Sequence, residues 1–71
     1  MEIFEFKNSS NIKSVSYDSD TKDMTIVFKG DSKYVYRDIP SDIYKKFTES
    51  KSAGKFFYSN IKNHYKYSKL I

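Results

Sequence analysis

The sequence predicts an α+β fold in which a three-stranded antiparallel β-meander over residues 12–39 is followed by two short helices over residues 41–65, packed on one face of the sheet (βββαα). Three observations carry that reading. Residues 12–37 alternate apolar and polar side chains in three runs separated by turn-forming clusters, which is strand periodicity. Pro40 lacks an amide hydrogen and biases Ile39 toward an extended backbone, so the sheet segment stops there. Beyond it the apolar residues recur at three- and four-residue spacing. Helices segregated after an antiparallel sheet cover one of its faces.

Taken in order, residues 1–11 are an N-terminal arm or an additional edge strand. Ile3, Phe4 and Phe6 suit a strand, whereas Asn8-Ser9-Ser10-Asn11 reads as a loop. Ile12 to Tyr17 then alternates, with Lys13, Val15 and Tyr17 on one side and Ile12, Ser14 and Ser16 on the other. Asp18-Ser19-Asp20-Thr21-Lys22-Asp23 is a hairpin loop of residues whose side chains bond the nearby backbone. Met24, Ile26 and Phe28 place three large apolar groups on one face of the second strand. Gly30-Asp31-Ser32 turns the chain into the third, Lys33 to Arg37. Ser41 is the expected N-cap of a helix to about Ser50, with Asp42 complementing the helix dipole and Ile43, Tyr44 and Phe47 on its buried side. Ser52 is the expected cap of the second helix, where Phe57, Ile61 and Tyr65 recur every four residues.

Seventy-one residues fit one small domain. Apolar residues on the usual basis number 22 of 71, about 31% against roughly 45–50% in ordinary domains, so the core is small and mostly aromatic. Ile, Leu, Val and Phe, 17 of 71, still exceed the composition of a disordered chain. Zero cysteines exclude a disulfide scaffold, a thiolate zinc site and a cysteine nucleophile. The first residues show neither a basic flank nor an apolar run of signal-peptide length, and no stretch reaches the roughly 20 residues that span a bilayer. A soluble, cytoplasmic protein without membrane partners is expected.

The net charge of +4 is unevenly placed. Residues 1–42 hold six bases and eight acids, whereas residues 43–71 hold seven lysines against Glu49 alone, interleaved with seven of the thirteen aromatics. Such a segment suits nucleic-acid phosphates or another acidic partner. It equally suits a solvated helical face, where Lys is common because it is soluble and favours helices. Tyr34 and Tyr36, two apart on one strand, share a face. Pointing outward they form an aromatic platform, and pointing inward they are core, the reading favoured for a chain so short of aliphatic residues.

Catalytic constellations are missing. His64 is the only histidine, so neither a His-rich metal site nor an acid–base histidine pair assembles within the chain. Asp18, Asp20 and Asp23 lack the glycine and the distant bidentate Glu of a calcium loop. The serines lack a base and an orienting acid. No cofactor, metal or catalytic residue is expected. Ser52, Gly54 and Lys55 open the second helix, where free amides and a lysine could hold a phosphate. The plainer alternative is that Ser52 only caps and Gly54 allows two helices to approach closely.

The ordered series Asn8-Ser9-Ser10-Asn11-Ile12, Tyr17-Asp18, Met24 to Phe28, Tyr34-Val35-Tyr36, Ile39-Pro40, Tyr44, Ser52-Ala53-Gly54-Lys55-Phe56-Phe57, Ile61 and Tyr65 resembles the KTSC domain. That family occurs as small stand-alone bacterial or phage proteins and as a C-terminal extension of some lysyl-tRNA synthetases. Its central signature is Tyr-x-Tyr, matched here by Tyr34 and Tyr36. The resemblance implies a non-enzymatic module for which RNA binding has been suggested. Tyr58 departs from the pattern, since relatives often carry a small polar Asn after the aromatic pair.

Two functions follow as expectations. One is a non-catalytic nucleic-acid module, RNA favoured, with Arg37, Lys45, Lys46, Lys51, Lys55, Lys62 and Lys66 on phosphates and Tyr34, Tyr36 or Tyr67 stacked on unpaired bases. The other is a protein-interaction module, phage or bacterial in origin, that binds an acidic surface of a host protein through the same tyrosines and lysines. A monomer, or a weak homodimer through a free sheet edge, is expected in either case.

Overall fold

The computed structural model describes residues 2–7 and 11–70. Its architecture is α+β, with strands β1 (Glu2–Glu5), β2 (Ile12–Asp18), β3 (Asp23–Phe28) and β4 (Lys33–Tyr36), helices α1 (Ser41–Glu49) and α2 (Ala53–Asn60), and a last strand β5 (Tyr67–Lys69). The strands form one antiparallel sheet in the order β1-β2-β3-β4-β5. The expected meander is therefore present and is extended at both edges. Of the loop expected before β2, residues 8–10 lie outside the described residues.

The register explains which side of each strand is core. Phe4, Val15, Ile26 and Tyr34 lie opposite one another in succession, and Tyr17, Met24, Tyr36 and Tyr67 form the neighbouring row. Both rows face the helices. Tyr17 stacks on Tyr44 of α1 at 4.7 Å between ring centres, Phe6 meets Phe47 at 5.2 Å, and Phe57 of α2 sits edge-on to Phe28 and Tyr36. Phe56 stacks on Phe47 and joins the two helices. The opposite face carries Ser14, Ser16, Thr25, Val27, Val35 and Ser68.

Strict alternation puts Ile12 on the outer side of β2, away from Val15 and Tyr17, yet all three are buried. A β-bulge reconciles them. Ile12 pairs with Phe28 and Ser14 with Val27, so Lys13 is one extra residue against β3. An inserted residue shifts the side-chain phase by one, which returns Ile12 to the core and leaves the Lys13 side chain in solvent, 3.7 Å from the exposed Asp31 carboxylate.

The hairpin turns use backbone conformations that favour glycine. Gly30 has φ +95, open to a residue without a Cβ. Lys22 adopts φ +62 and its amide donates to the Asp18 carbonyl at 2.7 Å, closing the first hairpin. Across the core, the Tyr17 hydroxyl donates to the carbonyl of Ile39 at 2.5 Å and anchors the segment that leads into α1.

Three local expectations need correction. Pro40, not Ser41, occupies the N-cap of α1, its carbonyl accepting the amides of Ile43 and Tyr44. Ser52 caps α2 by backbone position, without a side-chain hydrogen bond. The second helix stops at Asn60 rather than reaching Tyr65. Residues 61–65 form turns instead, with Lys62 donating to Phe57 and His64 to Ile61. The chain then pairs with β4, through Arg37 donating to Lys66 at 2.9 Å and Leu70 donating to Lys33 at 2.7 Å. A longer helix would have left the amides and carbonyls along that side of β4 without strand partners, and the returning tail satisfies them.

Candidate functional site

The return of the tail builds a site that a βββαα outline lacks. Tyr67 on β5 comes to lie beside both tyrosines of β4, with ring centres 5.8 Å from Tyr34 and 5.2 Å from Tyr36. The Tyr36 and Tyr67 planes are 25° apart, an offset stack. Phe28 is edge-on to Tyr34, and Phe57 is edge-on to Tyr36. Between these rings and α2 opens a hollow of about 590 Å³. Tyr58, Asn63, Ser32, Lys29 and Lys62 complete its rim.

Exposure grades from floor to rim. Tyr36 is 3% exposed, Tyr34 is half-buried, and Tyr67 and Tyr58 are 55% and 64% exposed. Tyr34 and Tyr36 point inward and belong to the core, Tyr36 within it and Tyr34 packed against it, with Tyr67 laid beside them. Burial, and then the neighbouring phenols Tyr67 and Tyr34, push the Tyr36 pKa up to about 12. The floor stays neutral at physiological pH.

Lysines supply the charge at the rim. Lys62 Nζ lies 4.5 Å from the centre of the Tyr58 ring, one helical turn back, and Lys69 Nζ lies 6.0 Å from the Tyr34 ring. Among the described residues, no carboxylate lines the hollow.

The other expected site residues lie elsewhere. Lys51, Ser52, Gly54 and Lys55 gather with Lys7 in a second hollow that Glu5 also lines, at the start of α2. Gly54 does not serve close helix packing: a Cβ built there meets only the Asn11 side chain, at an ordinary 3.8 Å. Lys45 lines a third hollow beside Asp42, Ile3 and Phe4. Lys46 and Lys66 are exposed and line none of the three. Arg37 is ion-paired with Asp23 at 3.3 Å. The late lysines are thus divided among separate surfaces rather than gathered into one patch. The first two hollows adjoin at Asn11 and Gly54.

Asp18 and Asp23 are engaged locally, the former accepting the Asp20 amide and the latter paired with Arg37. His64 is exposed, its Nε2 3.0 Å from the Ser59 carbonyl oxygen.

Lys29, Asn63 and Lys69 were missed as site residues. The alternation Tyr65-Lys66-Tyr67-Ser68-Lys69 was the available signal for Lys69, since a strand there puts Tyr67 and Lys69 on one face. Nothing local marks Lys29, which belongs to the site only because the β3–β4 turn comes to lie beside α2.

Comparison with known proteins agrees with this architecture. The crystal structure of a KTSC domain protein from Yersinia pestis superposes with a TM-score of 0.91 at 28% identity, covering 99% of this chain and 97% of that one. No curated protein matches the sequence. The sequence pattern of the KTSC domain matches residues 8–65, from the segment before β2 to the turn after α2. With most of its length matched and its fold shared with a solved relative, the chain belongs to the KTSC domain family.

Proposed function

We propose that this domain is a non-catalytic nucleic-acid-binding module of the cytoplasm, with single-stranded RNA as its favoured partner. The observation that carries the reading is the tyrosine-lined hollow, lined by Lys29 and Lys62 and free of carboxylates among the described residues, with Lys69 Nζ 6.0 Å from its Tyr34 ring. Stacked aromatics take bases of any sequence, and ammonium groups beside them take the phosphates. The hollow has no histidine, cysteine or carboxylate among its described residues, so stacking and ionic contact are the chemistry it is equipped for.

Titration of a labelled single-stranded RNA at two salt concentrations tests this. Each phosphate contact contributes about −0.7 to the slope of log K against log salt, so three lysines predict a slope of about −2. Undetectable binding at micromolar protein, or salt-insensitive binding, would overturn the proposal.

A second reading, docking onto a protein surface, is favoured by Ile3, which is 71% exposed on the outermost strand β1. Affinity purification with and without nuclease separates the two. A protein retained after nuclease supports docking, and loss of all retained material eliminates it.

A further inference from the structure

We infer that the hollow engages one unpaired nucleotide at a time, its base continuing the stack begun by Tyr36 and Tyr67 and its phosphate meeting Lys62 and Lys29. This rests on the nucleic-acid reading above and specifies the ligand unit.

The stack is incomplete on its outer side. Tyr36, at the floor, is covered, whereas Tyr67 has one face on Tyr36 and is 55% exposed. A half-exposed ring stacked on a buried one is the outer member of a short column, and a further flat ring can extend it by the same offset geometry. The column is held in place before any ligand arrives. Tyr34 leans against Tyr67 at 50°, and Phe57 braces Tyr36 edge-on at 86°. Pre-set aromatic surfaces spend little conformational entropy on binding.

Charge decides what kind of ring. A box of aromatic side chains ordinarily attracts a cation by its π faces. Here Lys29 and Lys62 line the box, Lys69 reaches over Tyr34, and no described carboxylate offsets them. A cationic ligand is repelled, and an aromatic ring carrying negative charge is drawn in. Asn63 and Ser32 add donors and acceptors within the same lining, suited to the polar edge of a base.

Size sets the number. A hollow of about 590 Å³ is in the range that holds one small molecule, roughly 300–1,000 Å³. Bases inside a duplex are already stacked on both faces, so the terminal Tyr67 face is open only to an unpaired one.

The experiment titrates a short single-stranded RNA and its duplex into the wild-type protein, Tyr67→Ala, Tyr67→Phe and the double variant Lys51→Gln/Lys55→Gln. Loss of one stacked base weakens binding about 5- to 160-fold, expected for Tyr67→Ala. Tyr67→Phe retains the affinity, because the ring rather than the hydroxyl stacks. The double variant, altered in the adjoining hollow, changes affinity less than Tyr67→Ala, and the duplex binds more weakly than the single strand. In wild-type protein, an adenosine trinucleotide shifts the Tyr67 ring-proton resonances upfield by the purine ring current, which keeps the test decisive should Tyr67→Ala fail to fold. Single-stranded RNA bound equally well by wild type and Tyr67→Ala, an unshifted Tyr67, or equal binding of the duplex overturns the one-nucleotide site while leaving nucleic-acid binding intact. No RNA binding by the wild type overturns both.

Discussion

Tyr17 shows how much one side chain does in a core this small. Its ring is buried against Tyr44, and its hydroxyl holds the carbonyl of Ile39, which sits 22 residues away at the junction between sheet and helices. Tyr17→Phe keeps the ring and deprives that carbonyl of its donor, so we expect a loss of about 1–2 kcal/mol in urea unfolding with the fold retained. An unchanged unfolding midpoint would mean that the bond carries no net stability. Tyr36 couples stability to pH at the alkaline end. Its proton is held more tightly in the folded chain, with a pKa of about 12 against an ordinary value of 10.0. Between those values the unfolded chain has given up its proton and the folded chain has not, so folding loses stability as pH rises through the window. The contribution is fully present below pH 10. Comparing wild type with Tyr36→Phe over that interval isolates it: the wild type loses stability more steeply, and parallel curves would refute the assignment.

Among the elements, β2 and β5 depart most from what local periodicity dictates, for opposite reasons. In β2 the period was clear, but the phase was wrong for Ile12 because one residue is inserted. A bulge leaves no signature in composition; it is recognised here only from the register, where Ile12 and Ser14 face consecutive residues of β3. Deleting Lys13 should make the pairing continuous and leave Ile12 on the core face, because Ile12 then directly precedes Ser14 and stays opposite Phe28. Ile12→Ala, which empties that fully buried position, is expected to cost about 2–5 kcal/mol in urea unfolding, and the Lys13 deletion less. A deletion variant that loses as much as Ile12→Ala would show that the bulge itself holds Ile12 in the core. In β5 the helical stripe Phe57, Ile61 and Tyr65 suggested a longer helix, and all three residues do contact the core. They do so with different backbones, since burial of a spaced apolar set does not require that the helix continue. Strand pairing with β4 satisfies more of the backbone than another exposed helical turn would.

At the scale of the whole molecule, both layers depend on one apolar face. Ile26 is fully buried in the central strand and lies opposite Val15 on one side and Tyr34 on the other. Ordinary domains hold about 0.05–0.15 kcal/mol per residue, roughly 4–11 kcal/mol for a chain of this length. Ile26→Ala, at about 2–5 kcal/mol, consumes a large share of that. Circular dichroism should show a markedly lower melting temperature or an unfolded chain, and a melting temperature within a few degrees of wild type would contradict the central place given to this residue. Charge also acts at this scale, where the formal net charge of +4 gives the domain a general, salt-screened attraction for polyanions.

The amino-acid pattern alone was enough for the α+β class, the three central strands, the starts of both helices and the sharing of one face by Tyr34 and Tyr36, because each depends on local periodicity, on the missing amide of Pro40 or on turn chemistry. It was enough also for an N-terminal edge strand as an alternative. The joining of Tyr67 to that tyrosine pair, the scattering of the late lysines over separate surfaces and the entry of Lys29 into the aromatic hollow came from pairing across long stretches of chain. Those outcomes follow from which strand edge the tail satisfies and which turn comes to lie beside α2. Such choices balance whole-surface burial and hydrogen bonding against chain entropy, and no short window of residues contains that balance.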